Sequence, residues 1–122
     1  MPTVTNKRVM YVESKSQAID GRGRIGWVER STACQVYRYD GKVLRMAGRG
    51  LYNCFDAGSG DWYLVAEPKS NGRDKVHGGF VDIDEDAREE YWLNIRNRPD
   101  CTALTSFLAE SRHGSTTSSR AK

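Results

Sequence analysis

Short runs in which apolar or aromatic residues alternate with polar ones fill the first two-thirds of the chain, and glycine-rich breaks separate them. A period of two is the signature of strands with one buried face. Arg8–Glu13 and Ile25–Arg30 read as the first two strands, parted by a polar stretch from Ser14 to Arg22. Gln35–Tyr39 and Lys42–Met46 flank Asp40-Gly41. Two residues of this type between strand-like runs predict a type I′ hairpin, because both turn positions need positive φ. Leu51–Phe55 and Trp62–Ala66 make a second hairpin around a five-residue loop, Asp56–Gly60. Pro68 and Asn71-Gly72 mark the next reversal, and Lys75–Val81 is a weaker strand interrupted by Gly78-Gly79.

The period changes at Asp84, a suitable N-cap followed by Glu85 and Asp86 at the positive end of a helix dipole. Ala87, Tyr91 and Ile95 recur every four residues with Trp92 beside them, and Pro99 stops the pattern, which predicts a helix over residues 84–98. A shorter helix over residues 100–112 would present Leu104, Phe107 and Leu108. The expected fold is mainly β, of α+β type. About six antiparallel strands form a twisted sheet or small open barrel, with a C-terminal helix packed on it. Residues 1–113 form one domain, and the Ser/Thr-rich residues 114–122 a disordered tail.

The length of 122 residues suits a single domain, and 38% hydrophobic with 29% charged residues is an ordinary globular composition. No stretch approaches the ~20 apolar residues of a membrane span, and Met1–Val12 lacks the apolar core of a secretion signal. The expectation is a soluble, cytoplasmic domain without a membrane partner. Cys34, Cys54 and Cys101 are odd in number, widely spaced and without a CxxC pair, which reads as reduced thiols. A Cys34–Cys54 bridge is the alternative. The net charge of +3 is unevenly spread: residues 1–50 hold ten Lys/Arg against four Asp/Glu, and residues 51–122 nine against twelve. The basic half suits an anionic partner or the protein's own acidic half.

Gly21-Arg22-Gly23-Arg24-Ile25-Gly26 matches GxGxxG, but a strand follows it where a dinucleotide site needs a helix, so it reads as a glycine-rich turn and no cofactor is implied. Asp82-Ile83-Asp84-Glu85-Asp86 opens like a calcium loop but has Ala87 and Leu93 where an EF-hand needs Gly and a carboxylate. The spacing of two histidines and three cysteines forms no metal site. His77, beside two glycines, is the one weak candidate for general acid–base work; the alternative is a surface histidine in a turn. His113 lies at the edge of the tail. The better lead is basic and aromatic. Arg22, Arg24, Arg30, Arg38, Lys42, Arg45 and Arg49 crowd around Trp27, Tyr37 and Tyr39, a mixture that binds single-stranded nucleic acid when it shares one surface. Alternation puts Arg38 and the two tyrosines on opposite faces of their strand, which favours tyrosines in the core and arginines in solvent. Trp62, Tyr63 and Trp92 could form an exposed patch, although aromatics at this spacing are more often core.

Gly23-Arg24-Ile25-Gly26-Trp27-Val28 and Val81 to Trp92, with Gly60-Asp61-Trp62-Tyr63 and Asn71-Gly72-Arg73-Asp74 between them, resemble a group of small bacterial proteins with no established function. The resemblance covers about residues 23–99. Some of that group carry the name 1-deoxy-D-xylulose-5-phosphate synthase, which would imply a thiamine diphosphate enzyme. This chain is several-fold shorter than that enzyme and has no Gly-Asp-Gly motif with a downstream Asn, so the name is read as a transferred error. The resemblance supplies no catalytic residues.

Three expectations follow. The first is a non-enzymatic module that engages a protein partner in the bacterial cytoplasm, through an exposed β-edge or the Trp62-Tyr63 hairpin. The second is nucleic-acid binding through the basic segment 22–49. The third is a small enzyme using His77. The residues expected to contact a partner or nucleic acid are Arg24, Trp27, Arg38, Arg45, Trp62 and Tyr63.

Overall fold

A computed structural model describes residues 5–17, 21–31, 33–47, 50–75 and 77–110. Among them run eight strands: β1 Thr5–Ser14, β2 Gly23–Ser31, β3 Val36–Tyr39, β4 Lys42–Met46, β5 Cys54–Asp56, β6 Asp61–Ala66, β7 Gly79–Ile83 and β8 Ser106–Ala109. Each of the first five pairs antiparallel with the next, and β6 returns to pair with β1 from Tyr11↔Ala66 to Ser14↔Tyr63. The strands therefore close into a six-stranded barrel, where the sequence suggested a twisted sheet or an open barrel. Closure is a long-range event: β1 is long enough to hold β2 along its length and β6 at its end.

The hairpin at Asp40-Gly41 has positive φ at both residues, 52° and 77°. The second hairpin is tighter than expected, since Asp56 pairs with Asp61 and leaves a four-residue loop, Ala57–Gly60. Alternation sorts the barrel side chains. Met10, Val12, Val28, Tyr39, Leu44, Cys54 and Val65 come from all six strands and fill the lumen as one cluster. Val9, Tyr11, Ile25 and Leu64 point outward, where Val81, Ile83, Tyr91 and Trp92 cover them as a second cluster.

The second cluster is roofed by the C-terminal part, and here the structure departs from expectation. No regular helix spans residues 84–98. A 3-10 turn Glu85–Ala87 passes into three α-helical residues, Arg88–Glu90, and then into a π-helical turn, Tyr91–Ile95. The side chain of Asp84 makes no capping bond; it is engaged by Arg24 and Tyr39 instead. The wide turn, with the Arg96 N–H donating to the Tyr91 carbonyl at 2.9 Å, accompanies burial of the adjacent Tyr91 and Trp92 on one side. Asn97 at φ 55° and an Arg98 N–H to Trp92 carbonyl bond of 2.7 Å end the segment in a Schellman-type cap, before Pro99.

The helix expected over residues 100–112 is also corrected. A short 3-10 turn, Pro99–Cys101, leads into β8, which pairs antiparallel with β7 from Gly79↔Ala109 to Asp82↔Ser106. The weak strand expected at Lys75–Val81 is shifted: Asp74 and Lys75 are buried outside any strand, and β7 begins at Gly79. β7 joins β2 in parallel at Gly23–Ile25, whereas β3 takes the other end of β2 at Glu29–Ser31. All three cysteines are free, so Cys34 and Cys54 form no bridge. The expected tail, His113 and Arg49 lie outside the described residues. No helix among the described residues is long and apolar enough to cross a membrane.

Candidate functional site on the outer barrel wall

The outward positions of β2 to β6 form two neighbouring cross-strand rows. Glu29, Arg38 and Val43 are direct partners in one; Val36, Arg45, Phe55 and Trp62 follow one another in the next. Phe55 and Trp62 pack with ring centroids 5.1 Å apart and planes tilted by 56°. Apolar surface remains open beside the arginines: Val43 is 46% exposed and Trp62 37%. A shallow groove of about 330 Å³ continues this wall from Val43 and Arg38 past Glu29 to Trp27, with Lys7 on its border. The Trp27 indole N–H is held by the Asp86 carbonyl at 2.8 Å.

The basic residues divide into two sets. Arg22 pairs with Asp82 at 2.8 Å, and Arg24 bridges Asp40 at 3.1 Å and Asp84 at 2.9 Å. Arg8 pairs with Glu67. These pairs join the basic half of the chain to its own acids. Lys7, Arg30, Arg38 and Arg45 make no ion pair with a described residue, and all but Arg30 lie on or beside the outer wall.

Of the six residues expected at a contact, the structure gathers Trp27, Arg38, Arg45 and Trp62 on this wall. Arg24 and Tyr63 are not among them. They face inward at one mouth of the barrel, where a cavity of about 310 Å³ also meets Ser14, Lys42 and Asp61. Burial and the nearby acids Asp61, Asp56 and Asp40 raise the pKa of the Tyr63 hydroxyl. Burial works against the Asp61 charge, but the Ser14 and Ser16 hydroxyls and the Trp62 N–H outweigh it and hold the carboxyl below its usual range. Tyr37 and Tyr39 belong to the lumen. The Tyr39 hydroxyl donates to Asp84 at 2.6 Å, and burial with that bond raises its pKa. Trp92 is buried in the outer cluster with Tyr91, and Tyr63 packs against the lumen cluster, so the three form no shared exposed patch.

His77 is exposed in the turn before β7 and makes no hydrogen bond or ion pair with a described residue. No group of three or more His, Cys, Asp or Glu among the described residues could hold a metal ion. Sequence reasoning missed Val43 and Phe55, whose signal was only their place in the alternation. It also missed the buried acid Glu13, which accepts from the Tyr11 hydroxyl, and the buried Asp74, which accepts from the Lys69 N–H at 2.6 Å.

The fold and this wall define a class: a small closed antiparallel β-barrel with a covered side and an open, cationic and aromatic side. No family model, curated protein or solved structure matches the chain.

Proposed function

We propose that the protein is a non-enzymatic binding module that engages a protein partner bearing an acidic, partly apolar surface, through the outer wall of β2 to β6. The observation that carries this is the Arg45–Phe55–Trp62 row beside Arg38 and Val43, in which guanidinium groups without an ion pair among the described residues flank exposed apolar side chains. Tryptophan and arginine are the residues that most often dominate the energy of protein interfaces. Three free thiols suit a reducing compartment, which agrees with a bacterial cytoplasm.

A nucleic-acid reading draws on the same cations. Three features favour a protein. Phe55 and Trp62 are engaged with each other, and Val43 offers aliphatic area that adds nothing to base stacking. Glu29 also stands in the row with Arg38 and would oppose a phosphate.

The test is affinity capture from the source cytoplasm with the full chain and with Arg45→Glu/Trp62→Ala. A partner retained by the first and lost at least tenfold from the second is expected. A partner set identical for both chains overturns this placement. Anisotropy titration with labelled single-stranded RNA at low and moderate salt decides between partners: tight binding that falls steeply with salt would replace the protein reading by the nucleic-acid one.

A further inference from the structure

The lumen cluster does not fill the barrel from end to end. It stops at Val12, Leu44 and Tyr39, and the cavity of about 310 Å³ opens beyond them. Inward-facing side chains from four strands wall it: Ser14 of β1, Arg24 of β2, Lys42 of β4, and Asp61 and Tyr63 of β6. Barrel mouths are a preferred place for small-molecule sites, and this volume lies at the lower end of their range. A small ligand of a single ring suits this size.

The chemistry of the lining selects the ligand. Its charged groups are already held by one another. Arg24 is fixed between Asp40 and Asp84, Arg22 lies against Asp82, and Asp61 accepts from the Ser14 and Ser16 hydroxyls. Arg22, Arg24 and Lys42 thus face Asp40, Asp61, Asp82 and Asp84, a near balance that leaves little net field to draw in an ion. What remains is directional hydrogen bonding. The Tyr63 hydroxyl bonds no described residue. The Lys42 ammonium stands 3.8 Å from Asp40, too far for a hydrogen bond. These groups sit among carboxylate and serine acceptors, over an apolar floor of Val12 and Leu44. Neighbouring donors and acceptors above an apolar floor suit a molecule whose hydroxyls do both, and whose C–H face is apolar.

We propose that this mouth of the barrel binds a neutral polyhydroxyl molecule of monosaccharide size, with Tyr63 and Lys42 donating to its hydroxyls. The site is separate from the outer wall and does not depend on a protein partner.

The test is a titration of the ¹⁵N-labelled full chain, followed by amide shifts, with D-glucose, D-galactose, D-mannose and N-acetyl-D-glucosamine in turn. Sodium acetate and inorganic phosphate serve as anion probes. Saturable shifts at Ser14, Arg24, Lys42 and Tyr63 with at least one sugar are expected. Tyr63→Phe and Lys42→Met, which keep the shape of the site, should each weaken that sugar about tenfold. Arg45→Glu/Trp62→Ala should leave it unchanged, which separates this site from the outer wall. No saturable response to any of the four sugars overturns the proposal. So does saturation at these residues by acetate or phosphate alone, or a sugar response that both mouth variants retain in full.

Discussion

Gly26 shows how one residue without a side chain organises its surroundings. A β-carbon there would overlap the Asp84 carboxylate and come within 2.7 Å of Tyr39 Cε1. The space lets Asp84 reach into the gap on β2 between β7 and β3, where it accepts from Arg24 at 2.9 Å and Tyr39 at 2.6 Å. Its own N–H donates to the Ile25 carbonyl at 2.8 Å. Gly26→Ala is therefore expected to destabilise by about 1–3 kcal/mol through overpacking, as read from the urea midpoint at unchanged slope. Cysteine reactivity tests burial at the same scale. Burial pushes the Cys54 thiol up to about 11, whereas Cys34 is exposed. At pH 8 a thiol reagent should label Cys34 rapidly and Cys54 only as fast as the barrel opens. Equal labelling rates in the native protein would contradict the lumen position of Cys54.

At the scale of elements, the apolar spacing Ala87–Tyr91–Ile95 was legible, but the winding was not. Ala87, Tyr91 and Trp92 are buried as a helical stripe would bury them. Tyr91 and Trp92 are adjacent, however, and a regular α-helix turns neighbours about 100° apart. The π turn widens the pitch where both face the barrel wall, and Phe107 completes the contact at 5.6 Å from Tyr91 and 5.8 Å from Trp92. Trp92→Ala should cost about 3–5 kcal/mol by leaving a cavity, measured by denaturant unfolding. Leu108→Ser, at a position 68% exposed, should stay within about 0.5 kcal/mol of the parent. The strand at Ser106–Ala109 eluded sequence reasoning for a physical reason. Phe107 and Leu108 read equally well as helix positions, and only an available partner in β7 decides between the states.

For the whole molecule, the docking of β7 on the barrel and the distribution of charge are linked. Arg22–Asp82 and Arg24–Asp84 tie the start of β2 and the residue before it to the end of β7 and the residue after it, so the acidic half of the chain neutralises part of the basic half. The Arg22 guanidinium holds the Asp82 carboxyl below its usual range, and hydrogen bonds hold Asp61 below it too. A carboxyl with a depressed native pKa contributes stability that is present above the unfolded value of about 4 and is lost as pH falls through the native one. Stability should thus be level near neutrality and decline on acidification below about pH 4. Both groups are largely solvent-accessible, so the effect is modest. Asp61→Asn should flatten that decline in urea titrations at stepped pH, and an unchanged acid limb would contradict the role given to Asp61.

Local patterning along the chain already specifies the period-two strands, the Asp40-Gly41 hairpin, the apolar positions under the C-terminal segment and the opposite faces of Arg38 and its tyrosine neighbours. These are local properties, set by backbone preference at a turn and by alternation along one strand. Tertiary structure alone decided that β6 meets β1, which face of each strand becomes lumen, and which arginines find a carboxylate. Sequence placed Arg24, Arg38 and Arg45 in one basic set; the fold turned Arg24 into the barrel mouth and the other two out onto the wall. That choice depends on the register of pairings between residues as far apart as Tyr11 and Ala66, which no local pattern specifies.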